Sequence, residues 1–217
     1  MTEWNNGYVS EIGYTYGYYN ELSPSRTNFT LLYAGYAAVS NNGYHCELGF
    51  GQGISINILS AVTNHTWFGN DFNPAQVANA QKIGNASNSK IHLTDESFQE
   101  YAQRDDLPKF DSIRLHGIWS WISESNRNHI INFIKKNLNV GGVLYISYNA
   151  MPGWTTFLPI RKMLSLHNEV LGNSNQGIIK NIEKAIDYVV ELTNIEPKYF
   201  KNNPDSVQRL LKIKKSR

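Results

Sequence analysis

The sequence predicts an α/β domain built on a doubly wound parallel sheet, followed by a helical segment. Three observations carry this. Strand-like and helix-like stretches alternate five times with short connections before residue 150, a pattern that favours right-handed crossovers and parallel strands covered on both faces. The turn after the first strand is glycine-rich, ELGFGQG at 47–53, where such a sheet binds ligands. Beyond Trp154 only helix-like spacing remains.

The elements follow in order. Residues 1–30 are polar and aromatic without a sustained period. Thr27–Val39 reads as a helix carrying Leu31, Leu32, Ala34 and Ala38. Turn residues 40–43 lead into a strand at Tyr44–Leu48, and Ile54–Val62 has helical apolar spacing. Thr66–Phe68 reads as a buried strand stopping at Gly69-Asn70-Asp71. Asn73 and Pro74 then suit the N-cap and first turn of a helix running to about Gly84. Lys90–Leu93 is a strand, Ser97–Gln103 a helix and Phe110–Leu115 a strand. Asn126–Leu138 is an amphipathic helix, broken by Asn139–Gly142 before a β-branched and aromatic strand at Val143–Tyr148. Helix-like stretches near 156–171, 178–194 and 204–215 complete the chain, the last without a cap. This divides the chain into an aromatic lid segment and helix (1–43), a ligand-binding α/β domain (44–154) and a helical extension (155–217) that reads as part of something longer.

Composition excludes several classes. Apolar types make up 41% of the 217 residues, enough to bury a core. A formal charge of +2 gives no indication of a nucleic-acid partner. One cysteine, Cys46, excludes an internal disulfide framework and a Cys-rich zinc site, and the histidines lack metal-ligand spacing. No apolar stretch is long enough to span a membrane and no secretory signal is visible, so a soluble, cytoplasmic protein is expected. Two skews need more than generic folding. Eight of 13 tyrosines fall within residues 1–44, and the charge is −3 over residues 1–150 but +5 over residues 151–217.

Glycines at 49, 51 and 53 let backbone approach a ligand, and the helix N-terminus behind them offers free N–H groups. Asp71 ends the second strand 22 residues after Gly49, a spacing at which an acid can accept both hydroxyls of a ribose. Nicotinamide dinucleotide and S-adenosylmethionine both contain that group. The dinucleotide fingerprint G-x-G-x-x-G/A places a small residue at position 54, which is Ile54 here. Glu47 would repel a pyrophosphate but tolerate a sulfonium and an α-ammonium. The spacing therefore favours S-adenosylmethionine. Asp95, Glu96 and Phe98 after the third strand suit an adenine edge, although Asp95 or Ser97 serves equally as a helix N-cap.

With these residues in view, the sequence resembles the class I S-adenosylmethionine-dependent methyltransferases, a Rossmann-like family. It looks closest to the bacterial group carrying a methyltransferase regulatory domain. The resemblance rests on YTYGYYNELSP (14–24), ELGFGQG (47–53), GNDFNPAQVANA (69–80), FDSIRLHGIWSWI (110–122) and LNVGGVLYISYNAMPGW (138–154). It implies that Gly49, Gly51 and Gly53 line the methionine portion beside Glu47. Asp71 would hold the ribose, Phe72 would flank the adenine, and Asp95 and Glu96 would address its amino edge. Leu115, His116 and Gly117 would border the sulfonium. The two final antiparallel strands of such a sheet are not visible, so an exposed edge is expected. Arg114 stands at a strand position usually apolar and must reach an edge or pair with an acid.

Methyl transfer from a sulfonium is an in-line displacement onto a lone pair, so a lysine acceptor must first lose its proton. His116 and Tyr148 are the catalytic candidates. Trp119, Trp121, Asn149 and Trp154 are substrate-side candidates, and Tyr14 and Tyr18 belong to a candidate lid. Three of these readings have a structural alternative: a locally satisfied imidazole for His116, loop packing for Trp119 and Trp121, and an aromatic mini-core for the tyrosines. The resemblance implies methyl transfer to an unidentified acceptor, first a protein lysine, with S-adenosylhomocysteine as by-product. An inactive cofactor- or partner-binding remnant and an NAD-dependent oxidoreductase are the other readings, and a homo-oligomer is an allowed state.

Overall fold

The computed structural model describes residues 16–39 and 42–215, so Tyr14 lies outside the described residues. The described chain divides between Tyr148 and Asn149 into two compact units. The first holds five strands, β1 (Tyr44–Leu48), β2 (Thr66–Asn70), β3 (Ile91–Thr94), β4 (Phe110–Leu115) and β5 (Leu138–Ile146). Its helices are α1 (Pro24–Tyr33), α2 (Ile54–Val62), α3 (Pro74–Ala86), α4 (Phe98–Gln103) and α5 (Glu124–Asn137). The strands form one all-parallel sheet in the order β3-β2-β1-β4-β5. The chain winds outward from β1 to β3 and returns beside β1 as β4. That reversal opens a crevice beyond the carboxyl ends of β1 and β4, where open α/β sheets take ligands.

Alternation along the strands gives the sheet two unlike faces. One carries Cys46, Leu48, Ile113 and Leu115 and packs on Tyr101 of α4 and on Ile130 and Phe133 of α5. Cys46 is fully buried there, a packing residue whose thiol burial holds well above the usual range. The other face carries a row of polar side chains, His45 and Glu47 on β1 beside Ser112 and Arg114 on β4. Leu22, Ile56, Leu59, Val77 and Ala80 cover it, together with Trp67 from β2.

Three elements are bounded differently from the sequence reading, the fifth strand at both ends because it spans Leu138–Ile146. The first helix starts at Pro24, where the fixed φ suits the first turn, and stops at Tyr33 rather than Val39. Gly35, at φ +83°, donates to Leu32 while Tyr36 donates to Leu31, a Schellman ending. The glycines at 141 and 142 do not delay the fifth strand. They bulge it: Phe110 pairs with Leu138 but Ser112 with Val143, and Gly141 takes φ +79°. Strand β2 continues to Asn70 because its parallel ladder with β1 runs to the Leu48–Asn70 pair.

Strand β5 forms an edge of the sheet, with Val140 fully exposed. The second unit is helical: α6 (Leu158–Leu171), α7 (Gly177–Thr193), α8 (Lys198–Asn202, not anticipated) and α9 (Pro204–Lys215). Phe157, Ile160, Ile186, Val189, Phe200 and Leu210 form its core. Among the described residues no helix is long and apolar enough to cross a membrane.

Candidate cofactor site at the β1 and β4 crevice

Strand β1 delivers the chain into three left-handed glycines, Gly49 (φ +68°), Gly51 (φ +58°) and Gly53 (φ +70°). Only residues without a Cβ adopt these angles without strain. The three differ in what they do. The Gly49 amide extends the ladder onto the Asn70 carbonyl at 2.8 Å. The Gly51 amide donates to Asp71 Oδ2 at 2.8 Å. Gly53 makes room for α3: a Cβ there would stand 2.4 Å from the Ala80 Cβ. Asn57 ties this contact by donating to the Gly53 and Ala80 carbonyls. Gly53 thus serves close helix packing, and Gly49 and Gly51 carry the loop itself. Gly53→Ala is expected to destabilise the fold by about 2–4 kcal/mol, combining overpacking with a strained φ. Gly117→Ala, also left-handed but with open space around it, should cost only about 1 kcal/mol. Urea denaturation of both variants checks the ordering.

Asp71 follows β2 immediately. Both of its carboxylate oxygens accept backbone hydrogens, Oδ2 from Gly51 and Oδ1 from Asn73 at 3.0 Å. It therefore ties the loop after β1 to the turn before α3, and each oxygen keeps lone-pair capacity for a further donor. Burial pushes its pKa up to about 6 against the pull of those two amides. Glu47 lies on the polar face of β1, 4% exposed, with Oε2 lacking a hydrogen-bond partner. Burial pushes it up to about 8, with the Arg114 charge pulling it down and Asp71 pushing it up. A buried carboxylate oxygen without a donor, beside a glycine loop, suits a cationic or N–H-bearing ligand group.

Arg114 does not reach an edge, and it forms no close ion pair among the described residues. It is 1% exposed and donates to the Leu22 carbonyl at 2.8 Å, Thr27 Oγ1 at 3.0 Å and Ser112 Oγ at 3.1 Å. It also lies over the Trp67 ring. The guanidinium thereby fastens the chain from Leu22 into α1 onto the sheet.

The remaining sequence candidates separate. Leu115 is fully buried on the apolar face, so its side chain packs the core and does not border a ligand. His116, one residue on, is half-buried, and Gly117 (φ +72°) follows it. Ile118 stands against Gly49. Glu96 turns its carboxylate to Arg104 at 3.1 Å, Asp95 is exposed, and Ser97 caps α4 through a capping box with Glu100. The pair with Arg104 engages Oε2 of Glu96 alone. Phe72 is half-buried beside Asp71. Trp119 packs on the apolar cluster under Arg127, whereas Trp121 is 57% exposed. Tyr148 and Tyr18 are exposed. Asn149 and Trp154 belong to the second unit, where Arg209 lies 4.0 Å over the Trp154 ring.

Sequence reasoning missed Tyr145 and placed Tyr19 only within the tyrosine cluster at 14–19. The Tyr19 ring packs on His116 with centroids 4.3 Å apart, and its amide donates to Ser55 Oγ at the start of α2. Tyr145 Oη lies 3.1 Å from His116 Nδ1. Strand alternation was the available signal for Tyr145, since it pairs with Arg114 across the ladder on the polar face.

No family model matches this chain. The chain is 40% identical over 215 residues to an uncharacterized protein, sll1526, of Synechocystis sp., covering 97% of this chain and 42% of that protein. It is 30% identical over 135 residues to an uncharacterized protein, RP028, of Rickettsia prowazekii, covering 60% of this chain and 53% of that one. The chain thus spans about half, or less, of the length of the curated relatives it matches. Among solved structures it is similar to PKMT2 from Rickettsia typhi in complex with AdoHcy, at a TM-score of 0.72 and 22% identity, covering 90% of this chain and 38% of that one. A second structure of PKMT2 gives a TM-score of 0.66 at 20% identity, covering 89% and 37%. The fold is the Rossmann-like one of class I methyltransferases.

Proposed function

We propose that this chain binds S-adenosylmethionine at the β1 and β4 crevice and catalyses methyl transfer as the catalytic portion of a longer methyltransferase. The carrying observation is the pairing of Asp71, whose carboxylate clasps the Gly51 amide, with the buried and unpartnered Glu47 oxygen below the same loop. In this reading Gly49 and Gly51 line the methionine portion, Glu47 faces its α-ammonium and Asp71 accepts from the ribose hydroxyls. The likeness of the fold to PKMT2 solved with AdoHcy supports it. The bound cofactor supplies an electrophilic methyl on a sulfonium. The chain's own part is to hold that methyl in line with an acceptor, exclude water and take up a proton. We assign that last task to His116. A protein lysine is the acceptor we put first, on the sequence resemblance.

Calorimetry with S-adenosylmethionine, S-adenosylhomocysteine and NAD tests this. Saturable binding of the two sulfur compounds supports it, and saturable binding of NAD alone overturns it. Transfer of tritiated methyl into polylysine then tests the acceptor class.

The acids fix the pH dependence. In the free chain Glu47 titrates at about 8 and Asp71 at about 6, both raised by burial. An α-ammonium beside Glu47, and hydroxyls donating to Asp71, favour the charged forms. Binding then releases protons, so affinity rises with pH from about 5 to 7.5, through Asp71 below about 6 and through Glu47 up to about 8, by at most about tenfold per unit and site. Calorimetry in two buffers of different ionisation heat reads that release directly. Glu47→Gln should leave only the lower step; a wild-type affinity flat across the window removes both acids from the site.

A further inference from the structure

The tetrapeptide Asn-Asn-Gly-Tyr occurs twice in the chain, at 5–8 and at 41–44. In an Asn-Gly pair the glycine nitrogen can attack the side-chain carbonyl before it, because no Cβ crowds the approach. The copy at 41–44 leads into β1, and there the fold sets a base against that nitrogen. The Gly43 amide donates to His65 Nδ1 at 3.2 Å, and the Gly43 carbonyl accepts from the Thr66 amide at 3.1 Å. The nitrogen is thereby held in place, while Asn42 next to it is exposed in the turn. Packing itself requires the glycine, since a Cβ at 43 would fall on the Asp111 carboxylate.

A backbone N–H has no lone pair to offer, so His65 Nδ1 is the acceptor in this contact and carries no hydrogen. His65 is 5% exposed, and burial lowers its pKa, which keeps the ring neutral at pH 7. The titratable and charged groups facing it come from β1 and β4. The His45 ring stands 4.1 Å away, Arg114 lowers the His65 pKa and Asp111 raises it. The cavity that His65 lines adds Ser25, Asn28, Thr63 and Asn64, none of which titrates. Geometry lets the base and the attack coexist. The N–H bond lies in the peptide plane, whereas the electrons with which the nitrogen attacks stand perpendicular to it.

We propose that Asn42 is a self-modification site, deamidated by the Gly43 nitrogen with His65 as the base. The Gly43 N–H bond breaks toward His65 Nδ1, and the pair left on nitrogen forms a bond to Asn42 Cγ. The tetrahedral carbon then expels the side-chain nitrogen, which leaves as ammonia with the proton that His65 had taken. Water opens the resulting five-membered imide at one or other carbonyl, leaving aspartate or isoaspartate at position 42. Either product adds a negative charge to a turn where Asp111 Oδ2 already holds the Tyr44 amide at 2.9 Å, and isoaspartate also lengthens the backbone by one carbon ahead of β1. This modification is independent of the cofactor reading.

Peptide mapping by mass spectrometry during prolonged incubation tests this. Asn6, in the identical tetrapeptide but outside the described residues, is the reference. In the folded chain at pH 7, Asn42 should convert to the acid about tenfold faster than Asn6. Unfolding urea parts Gly43 from His65 and should bring the two rates together. The pH profile is a second readout. Asn6 depends on hydroxide, so its rate rises about tenfold per pH unit, whereas a resident neutral base should hold Asn42 within about threefold from pH 7 to 8.5. His65→Gln offers the Gly43 hydrogen an oxygen but no base, and should slow Asn42 to the Asn6 rate or below. Conversion of Asn42 no faster than that of Asn6 in the folded chain overturns the proposal. So does an Asn42 rate that climbs with pH in step with Asn6, a result read on the wild-type chain whether or not the variant folds. A folded His65→Gln chain that converts Asn42 at the wild-type rate removes His65 as the base and overturns it too.

Discussion

Replacing Asp71 by alanine is expected to weaken S-adenosylmethionine binding ten- to a hundredfold. Two losses combine. The ribose hydroxyls lose a charged acceptor, worth about 1.5–3 kcal/mol, and tenfold in affinity is about 1.4 kcal/mol. The Gly51 amide also loses its 2.8 Å partner, so the loop that shapes the pocket is no longer tied to the turn after β2. Asparagine does not rescue this. Each carboxylate oxygen already receives a backbone N–H, so an amide nitrogen at either place sets a donor against a donor. Calorimetric titration of both variants decides: a dissociation constant within twofold of wild type in Asp71→Ala would take Asp71 out of the ribose role.

Arg114→Met should lower stability by about 2–4 kcal/mol. The Leu22 carbonyl and Thr27 hydroxyl lose a donor, and a buried acceptor left unsatisfied costs about 1–3 kcal/mol by itself. Glu47 also loses its nearest cation. The cost stays below that of a typical broken buried pair because Glu47 can remain protonated, and burial already depresses Arg114 to about 10. The pH dependence has a definite sign. Folding raises Glu47 from 4.5 to about 8, so within that window the folded chain holds a proton the unfolded chain has released. Stability therefore falls as pH rises through the window, and the fall should steepen in Arg114→Met. Urea midpoints at pH 5 and 8 measure both effects, and amide exchange should show α1 losing protection first. A loss below about 1 kcal/mol with α1 protection intact would show that the apolar contacts of Leu22 hold the segment unaided.

Much of this was legible in the sequence because it is local. Strand and helix periods, the Asn73-Pro74 start of α3, whose cap side chain accepts from Ala75 and Gln76, and the glycine turn all follow from neighbouring residues. What was not legible depends on pairing across the sheet. Nothing near Arg114 in the chain says that its partners stand at Leu22 and Thr27. Nothing near Tyr145 says that parallel register brings it to His116, while Tyr148, three residues on, lies exposed beyond the strand. Nor was the pair between Glu96 and Arg104 legible, since the two stand eight residues apart at opposite ends of a helix. The glycines at 141 and 142 read as a break because a bulge, like a turn, needs a residue tolerant of positive φ.

The unlike faces of the sheet should leave different marks on sequence variation. On the face of Cys46, Leu48, Ile113 and Leu115, neighbours repack, and a change of one methylene is graded and offset by another nearby. On the face of His45, Glu47, Ser112 and Arg114 each side chain sets the protonation or donor needs of the next. Substitutions there are epistatic: singly deleterious, tolerated only in matched sets. Drift along this fold is free on one side of the sheet and locked, like a combination, on the other.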